Sequence, residues 1–182
     1  MLQITIKGGE VFDESTQEFH EFKTTTIALE HSLVSISKWE AKWKKPFISS
    51  TEDKTSEELL DYIRCMTITQ NVDPYAYYNI SRKDLNAIRD YIDDSMTATT
   101  FQDYGPQKKG KKQVITSELI YWWMIALNIP WECQKWHLNR LLTLVRICEI
   151  KSSPPKKMSK SEAASMRSKL NAERRAAMHS KG

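Results

Sequence analysis

Apolar and polar residues alternate with period two at residues 2–7 (LQITIK) and again at 17–22 (QEFHEF), and residues 24–29 (TTTIAL) are rich in β-branched types. These patterns predict strands, and Gly8-Gly9 is a turn signal after the first of them. Residues 1–30 are therefore expected to form a small antiparallel sheet. A sheet this small needs helices to cover its apolar face.

From residue 31 the period lengthens to that of a helix. In SLVSISKWEAKWKK (32–45) the positions Leu33, Ile36, Trp39 or Glu40, and Trp43 approximate one face, with Ser32 as N-cap and Pro46 ending the run. TSEE (55–58) is a capping box, Thr55 capping and Glu58 reaching back, and it opens a helix containing Leu59, Leu60, Ile63 and Met66. Ser81 and Asp84 start another in the same manner, with Leu85, Ile88, Tyr91 and Ile92 on its inner face. TATTFQDY (97–104) and QVIT (113–116) read as extended, on either side of the basic loop GPQKKGKK. Thr116 or Ser117 then caps ELIYWWMIALN, which is apolar nearly all round and is expected to be buried. Asn128 and Pro130 break it, and WECQKWHLNRLLTLVRIC (131–148) reads as the last helix of the core. SSPP (152–155) marks a boundary, because proline disfavours helix in the residue before it. Beyond it Ser159 and Glu162 make one more capping box. The run from 160 to about 178 can be helical, but Met166, Leu170 and Ala177 are too few to bury much alone.

The fold class expected is mainly α with a small N-terminal antiparallel β-sheet (α+β). One globular domain spans 1–151, with the sheet in 1–30, a mostly helical part in 31–151 and a basic loop at 102–113. A basic tail, helical or disordered, spans 152–182.

Composition narrows the class. A chain of 182 residues can bury a real core, and only 5 glycines and 6 prolines argue against a loop-rich sandwich or barrel. No apolar run reaches the roughly 18 residues that span a membrane. The start, MLQITIKGGE, lacks the apolar stretch of a secretory signal, so no membrane is expected as a partner. Three unevenly spaced cysteines (65, 133, 148) suggest no disulfide framework, which makes a reducing cytoplasm the default. The net charge of +4 is uneven: residues 151–182 hold nine Lys/Arg against Glu162 and Glu173, a net of +7, and the rest carries −3. A basic tail on a mildly acidic body suggests an interaction arm for nucleic acid or an acidic protein surface.

The candidate chemistry is thin. On a continuous helix turning about 100° per residue, His137, Cys148 and Leu141 all fall within roughly 80° of Cys133, inside the apolar stripe. Cys133 and Cys148 are then about 22 Å apart along the axis, too far to share a zinc ion. Only Cys133 and His137 are spaced to chelate, and Cys65, His20 and His31 offer no supporting pattern. A buried His137 bonded to backbone or a carboxylate is the favoured reading, with the cysteines as small hydrophobes. GPQKKGKK (105–112) nearly matches a phosphate-binding loop, but Lys112 stands where the magnesium-binding hydroxyl belongs and β-favouring QVIT follows. It reads as a solvated basic hairpin tip. There is no G-x-S-x-G. The pairs Glu57-Glu58 and Asp93-Asp94 sit at helix ends. No catalytic residue, cofactor or metal is therefore expected, and the protein is read as not an enzyme. Core packing accounts for most of the 6 tryptophans. Trp136, at about 300° from Cys133 on the same wheel, either packs on a second element or marks an interface.

Several stretches resemble the tail assembly chaperones of long-tailed bacteriophages: EHSLVSISKWEAKWKKPF (30–47), YIRCMTITQNVDP (62–74), MTATTF (96–101), SELIYWWMIALNIPWECQKWHLNRLLTLVRICEIK (117–151) and PPKKMS (154–159). The block 117–151 is the specific part. The resemblance implies a late, non-catalytic phage protein acting in the host bacterial cytoplasm. Such chaperones bind the tape measure protein, keep its long hydrophobic helices soluble, and help tail-tube subunits polymerise around it. The family offers no catalytic residues to carry over. A holdase of this kind needs aromatic surface and adaptable arms, for which the candidates are Trp39, Trp43, Trp136, Lys156, Lys157, Arg167, Arg174 and Arg175. Self-association stays open. Two rival classes remain: a structural subunit of the phage tail or connector, and a nucleic-acid-binding phage protein working through the basic tail. The tail has no interleaved aromatics, which weakens the second.

Overall fold

The first strand, β1 (Leu2–Ile6), pairs antiparallel with β4 (Thr25–Leu29), Ile4 opposite Ile27. Between them β2 (Gly9–Asp13) and β3 (Glu18–Phe22) form a ladder of their own, Val11 opposite His20. In this computed structural model, which describes residues 1–13, 16–49, 54–101, 113–152 and 160–178, the N-terminal region is thus two two-stranded sheets, where one was expected. Gly8-Gly9 does not reverse the chain; it is the corner at which β1 hands over to β2. A side chain on Gly8 would lie 2.8 Å from the carbonyl oxygen of Phe22 and 2.9 Å from the amide of Thr24, so only glycine fits there. The far edge of β4 is covered by the segment after the second helix: Ile68 N–H donates to Ala28 O and Ala28 N–H to Thr69 Oγ1. That removes one open edge from the sheet.

Among the described residues six α-helices follow the strands: α1 (Leu33–Trp43), α2 (Ser56–Met66), α3 (Arg82–Asp93), α4 (Ser117–Ala126), α5 (Leu138–Ser152) and α6 (Lys160–Ala177). The fold is mainly helical α+β. Four helix starts are set by side-chain caps. Ser32, Ser81 and Thr116 each accept from the backbone N–H three residues on, and Thr55 and Glu58 bond reciprocally as a capping box. Helix α1 ends on Lys44, held at φ 56° in the left-handed region two residues before Pro46. Ile4, Ile6, Ile27 and Leu29 of the β1–β4 ladder meet Leu33, Ile36 and Trp39 of α1 and Tyr62 and Met66 of α2 in one core.

Four expectations are corrected. Residues 97–101 and 113–116 belong to no strand. Thr116 is used as a helix cap, and Ile115 N–H donates to Ser49 Oγ, so neither is available to a ladder. The adjoining basic loop lies outside the described residues. Leu85 is exposed; it lies with Leu59 and Tyr78 on the rim of an apolar groove of about 290 Å³ between α2 and α3. The last core helix begins at Leu138, not at 131. Trp131–Lys135 is a 3-10 turn, Trp136 is extended, and His137 makes an antiparallel bridge to Ser32, with Leu138 N–H donating to His31 O at 2.7 Å. Cys133 and His137 therefore do not share a helix, and the wheel that placed them on one face does not apply. Finally, α4 is not enclosed on all sides.

Met1–Cys148 and Glu149–Gly182 are two separate compact units. The second contains α6, whose described side chains are exposed apart from a half-buried Ala163.

Candidate partner-binding surface

The position of α4 is set by a buried carboxylate. Glu40, on α1, accepts from Phe47 N–H through Oε1 and from Ser117 N–H through Oε2, both at 2.7 Å. The second bond meets the first turn of α4, where backbone donors lack helical partners and the helix dipole favours negative charge. This clamp turns Ser117, Ile120 and Met124 into the core. The helix closes through Asn128 at φ 51°, and Ile129 N–H donates back to Met124 O.

With one side of an apolar helix bound inward, the other is left outside. Trp122 is 61% exposed and Ile125 65%, and Trp131, from the following 3-10 turn, is 52% exposed. Tyr121 stacks on Trp131 with ring centroids 5.1 Å apart, and its hydroxyl donates to Gln134 Oε1 at 3.1 Å. Tyr121 thus ties Trp131 back to α4. The apolar area of the exposed patch is on the order of 400 Å², taking usual side-chain sizes. That is the size of the largest apolar patch on an ordinary single chain, and such a patch is often a contact surface.

The residues anticipated as partner contacts fall elsewhere. Trp39 is buried, its indole N–H donating to Glu58 O at 2.9 Å, so it is a core residue and not a surface one. Trp43 is half-buried, stacked on Trp39, and its N–H donates to Asp61 Oδ2, the carboxylate that also receives Lys42. Both tryptophans join α1 to α2. Lys45 pairs with Glu58 across the same interface, and that contact holds the Glu58 carboxyl below its usual range. Trp136 is half-buried in the extended link, with the Arg140 guanidinium 4.3 Å above its ring. Arg167, Arg174 and Arg175 are exposed on α6, and Lys156 and Lys157 lie outside the described residues. Trp122, Ile125 and Trp131 were not anticipated. For Trp122 and Ile125 the signal was the all-round apolarity of 118–127: a single short helix can turn only part of its circumference to a core this small.

His137 is buried, as expected, and bonds to backbone through Nε2 and Tyr91 O at 2.9 Å. Its neighbour is His31, ring centroids 5.0 Å apart, whose Nδ1 shares a hydrogen bond with the Tyr62 hydroxyl. Burial, reinforced by His137, lowers the His31 pKa from 6.5 to about 3. The unfolded chain takes up this proton near pH 6.5 while the folded chain refuses it until about pH 3. The contribution of His31 is therefore fully present above pH 6.5 and is lost as pH falls toward 3, by up to about 1.4 kcal/mol per unit. Urea midpoints at pH 7.5 and pH 5 should differ in that direction, and His31→Gln should flatten the difference. Equal slopes in both proteins would mean the pair is not the acid-sensitive element. The Cys133 thiol is likewise pushed up by burial, which suits packing better than reactivity. Among the described residues no three His, Cys, Asp or Glu side chains converge in a way that would hold a metal ion.

No family model, curated protein or solved structure matches the chain.

Proposed function

We propose that this chain is a bacteriophage tail assembly chaperone. It binds the tape measure protein without catalysis, in the host bacterial cytoplasm, and hands it to tail-tube subunits. The observation that carries this reading is the exposure of three large apolar side chains on and just after α4, Trp122, Ile125 and Trp131. They lie within the 117–151 block that resembles such chaperones, and they suit the apolar helices such a chaperone must keep soluble. The contact would be non-directional and driven by apolar area, which lets one face serve many turns of a long, repetitive helix.

Co-expression with the tape measure protein tests it. The wild-type chain should keep that protein in the soluble fraction, and the triple variant Trp122→Ser, Ile125→Ser, Trp131→Ser should not. These side chains are half or more exposed, so stability should change by no more than about 1 kcal/mol, readable by urea denaturation. A variant that stays folded and keeps full holdase activity would sink the assignment of this face. Stoichiometric recovery of the chain in purified particles would replace a transient chaperone with a structural tail subunit.

A further inference from the structure

We propose that α6 is a docking helix for a partner helix whose apolar seam is flanked by acidic residues. This deepens the reading above and rests on it only in requiring a partner protein. Ala163, Met166, Leu170 and Ala177 follow a three-four spacing and share one narrow stripe. Met166 and Leu170 are 42% and 43% exposed, so this seam is uncovered. The stripe runs about 21 Å, or four helical turns, which matches a helix lying alongside. Small residues at its ends allow close approach, Leu170 sits at its centre, and Met166, about one turn from its start, adapts to an irregular surface.

The flanking charges choose the occupant. Arg167 and Arg174 each follow a seam position directly and line one flank; both are exposed, and among the described residues neither has a carboxylate partner. Lys169 lies on the other flank, and Glu173 interrupts the seam itself. A second copy of α6 fits poorly in either direction. Parallel pairing sets Lys169 against Arg174 and Glu173 against its own counterpart; antiparallel pairing sets Arg167 against Arg174. An anionic membrane is disfavoured because the stripe has no aromatic residue and only one leucine. Nucleic acid is disfavoured by Glu173 and by the same lack of stacking groups. A helix with leucines on its seam and glutamates beside them satisfies both the apolar stripe and the arginines.

The test uses the full chain and a designed helical peptide of about 21 residues, leucine at seam positions and glutamate at the flanks. Its lysine-flanked counterpart, phosphatidylglycerol vesicles and duplex DNA serve as competitors, all at the same salt. The acidic peptide should bind, more weakly as salt rises. Arg167→Glu with Arg174→Glu should weaken it about tenfold or more, and the paired lysine variants should restore most of the affinity. Met166→Ser with Leu170→Ser should also weaken it. Absence of binding, indifference to either pair of changes, or preference for vesicles or DNA would each overturn the proposal. The α4 variant Trp122→Ser, Ile125→Ser, Trp131→Ser should bind the peptide normally. Loss of peptide binding and loss of tape measure solubility are thereby read separately.

Discussion

Trp39→Ala is expected to remove about 4 kcal/mol of stability, enough to leave much of the chain unfolded at 37 °C. Trp39 is 1% exposed, in edge contact with Phe47 and stacked on Trp43. Its indole N–H donates to Glu58 O, so it also joins α1 to α2 by a directed bond. Truncation leaves a cavity bordered by two other rings, and rings are poor at collapsing into space. Trp39→Phe keeps most of the volume and loses the N–H, and should cost about half as much. The measurement is a urea midpoint with near-ultraviolet circular dichroism. A well-folded Trp39→Ala protein that loses only its partner would show that this side chain acts at an interface after all.

The second large effect is expected at the neighbouring position. Glu40→Ala should cost about 3 kcal/mol, because Phe47 N–H and Ser117 N–H lose the buried carboxylate that accepts from both. Glu40→Gln should fall between, since its amide keeps one acceptor oxygen and turns a donor toward the other N–H. The damage should be local to α4. Amide exchange at Ser117 and Ile120 should accelerate before the β1–β4 ladder is affected. The effect would reach the proposed partner face too, because the same clamp helps decide which side of α4 is outside. A Glu40→Ala protein within about 0.5 kcal/mol of wild type would mean that α4 is held by packing alone.

Glu40 also shows how far the chain can be read in advance. Its place on the inner face of the first helix was legible, as an alternative to Trp39 at one turn of the pattern. Its two partners were not, because Phe47 is seven residues away and Ser117 is 77. The capped starts of α1, α2, α3 and α4 were legible for the opposite reason. Each depends on residues within one turn, where chain connectivity already brings donor and acceptor together. The helix expected from 131 failed at His137, whose backbone bridges to Ser32, some hundred residues earlier. A long-range bridge outweighed a local helical pattern.

The candidate surface was legible only in part. The exposure of Arg167, Arg174 and Arg175 on α6 was legible, because a basic helix with a sparse apolar stripe has little to bury. Trp39 and Trp43 were anticipated as contacts and are instead taken up between α1 and α2. Trp122 and Ile125, exposed on α4, were hidden by a pattern without a polar side, and Trp131 by the helix expected from 131.

By itself, then, the sequence determined the caps of α1 to α4, most strands, the charge split between body and tail, and the helical α+β class, all of which rest on residues near one another along the chain; the Ser159–Glu162 cap lies outside the described residues. Only the tertiary structure decided which side of α4 faces water, that β1 pairs with β4 around an inner hairpin, and that His31 meets His137. Those depend on contacts between distant segments, and an all-round apolar helix carries no local preference among its sides until a buried carboxylate such as Glu40 holds it in one orientation.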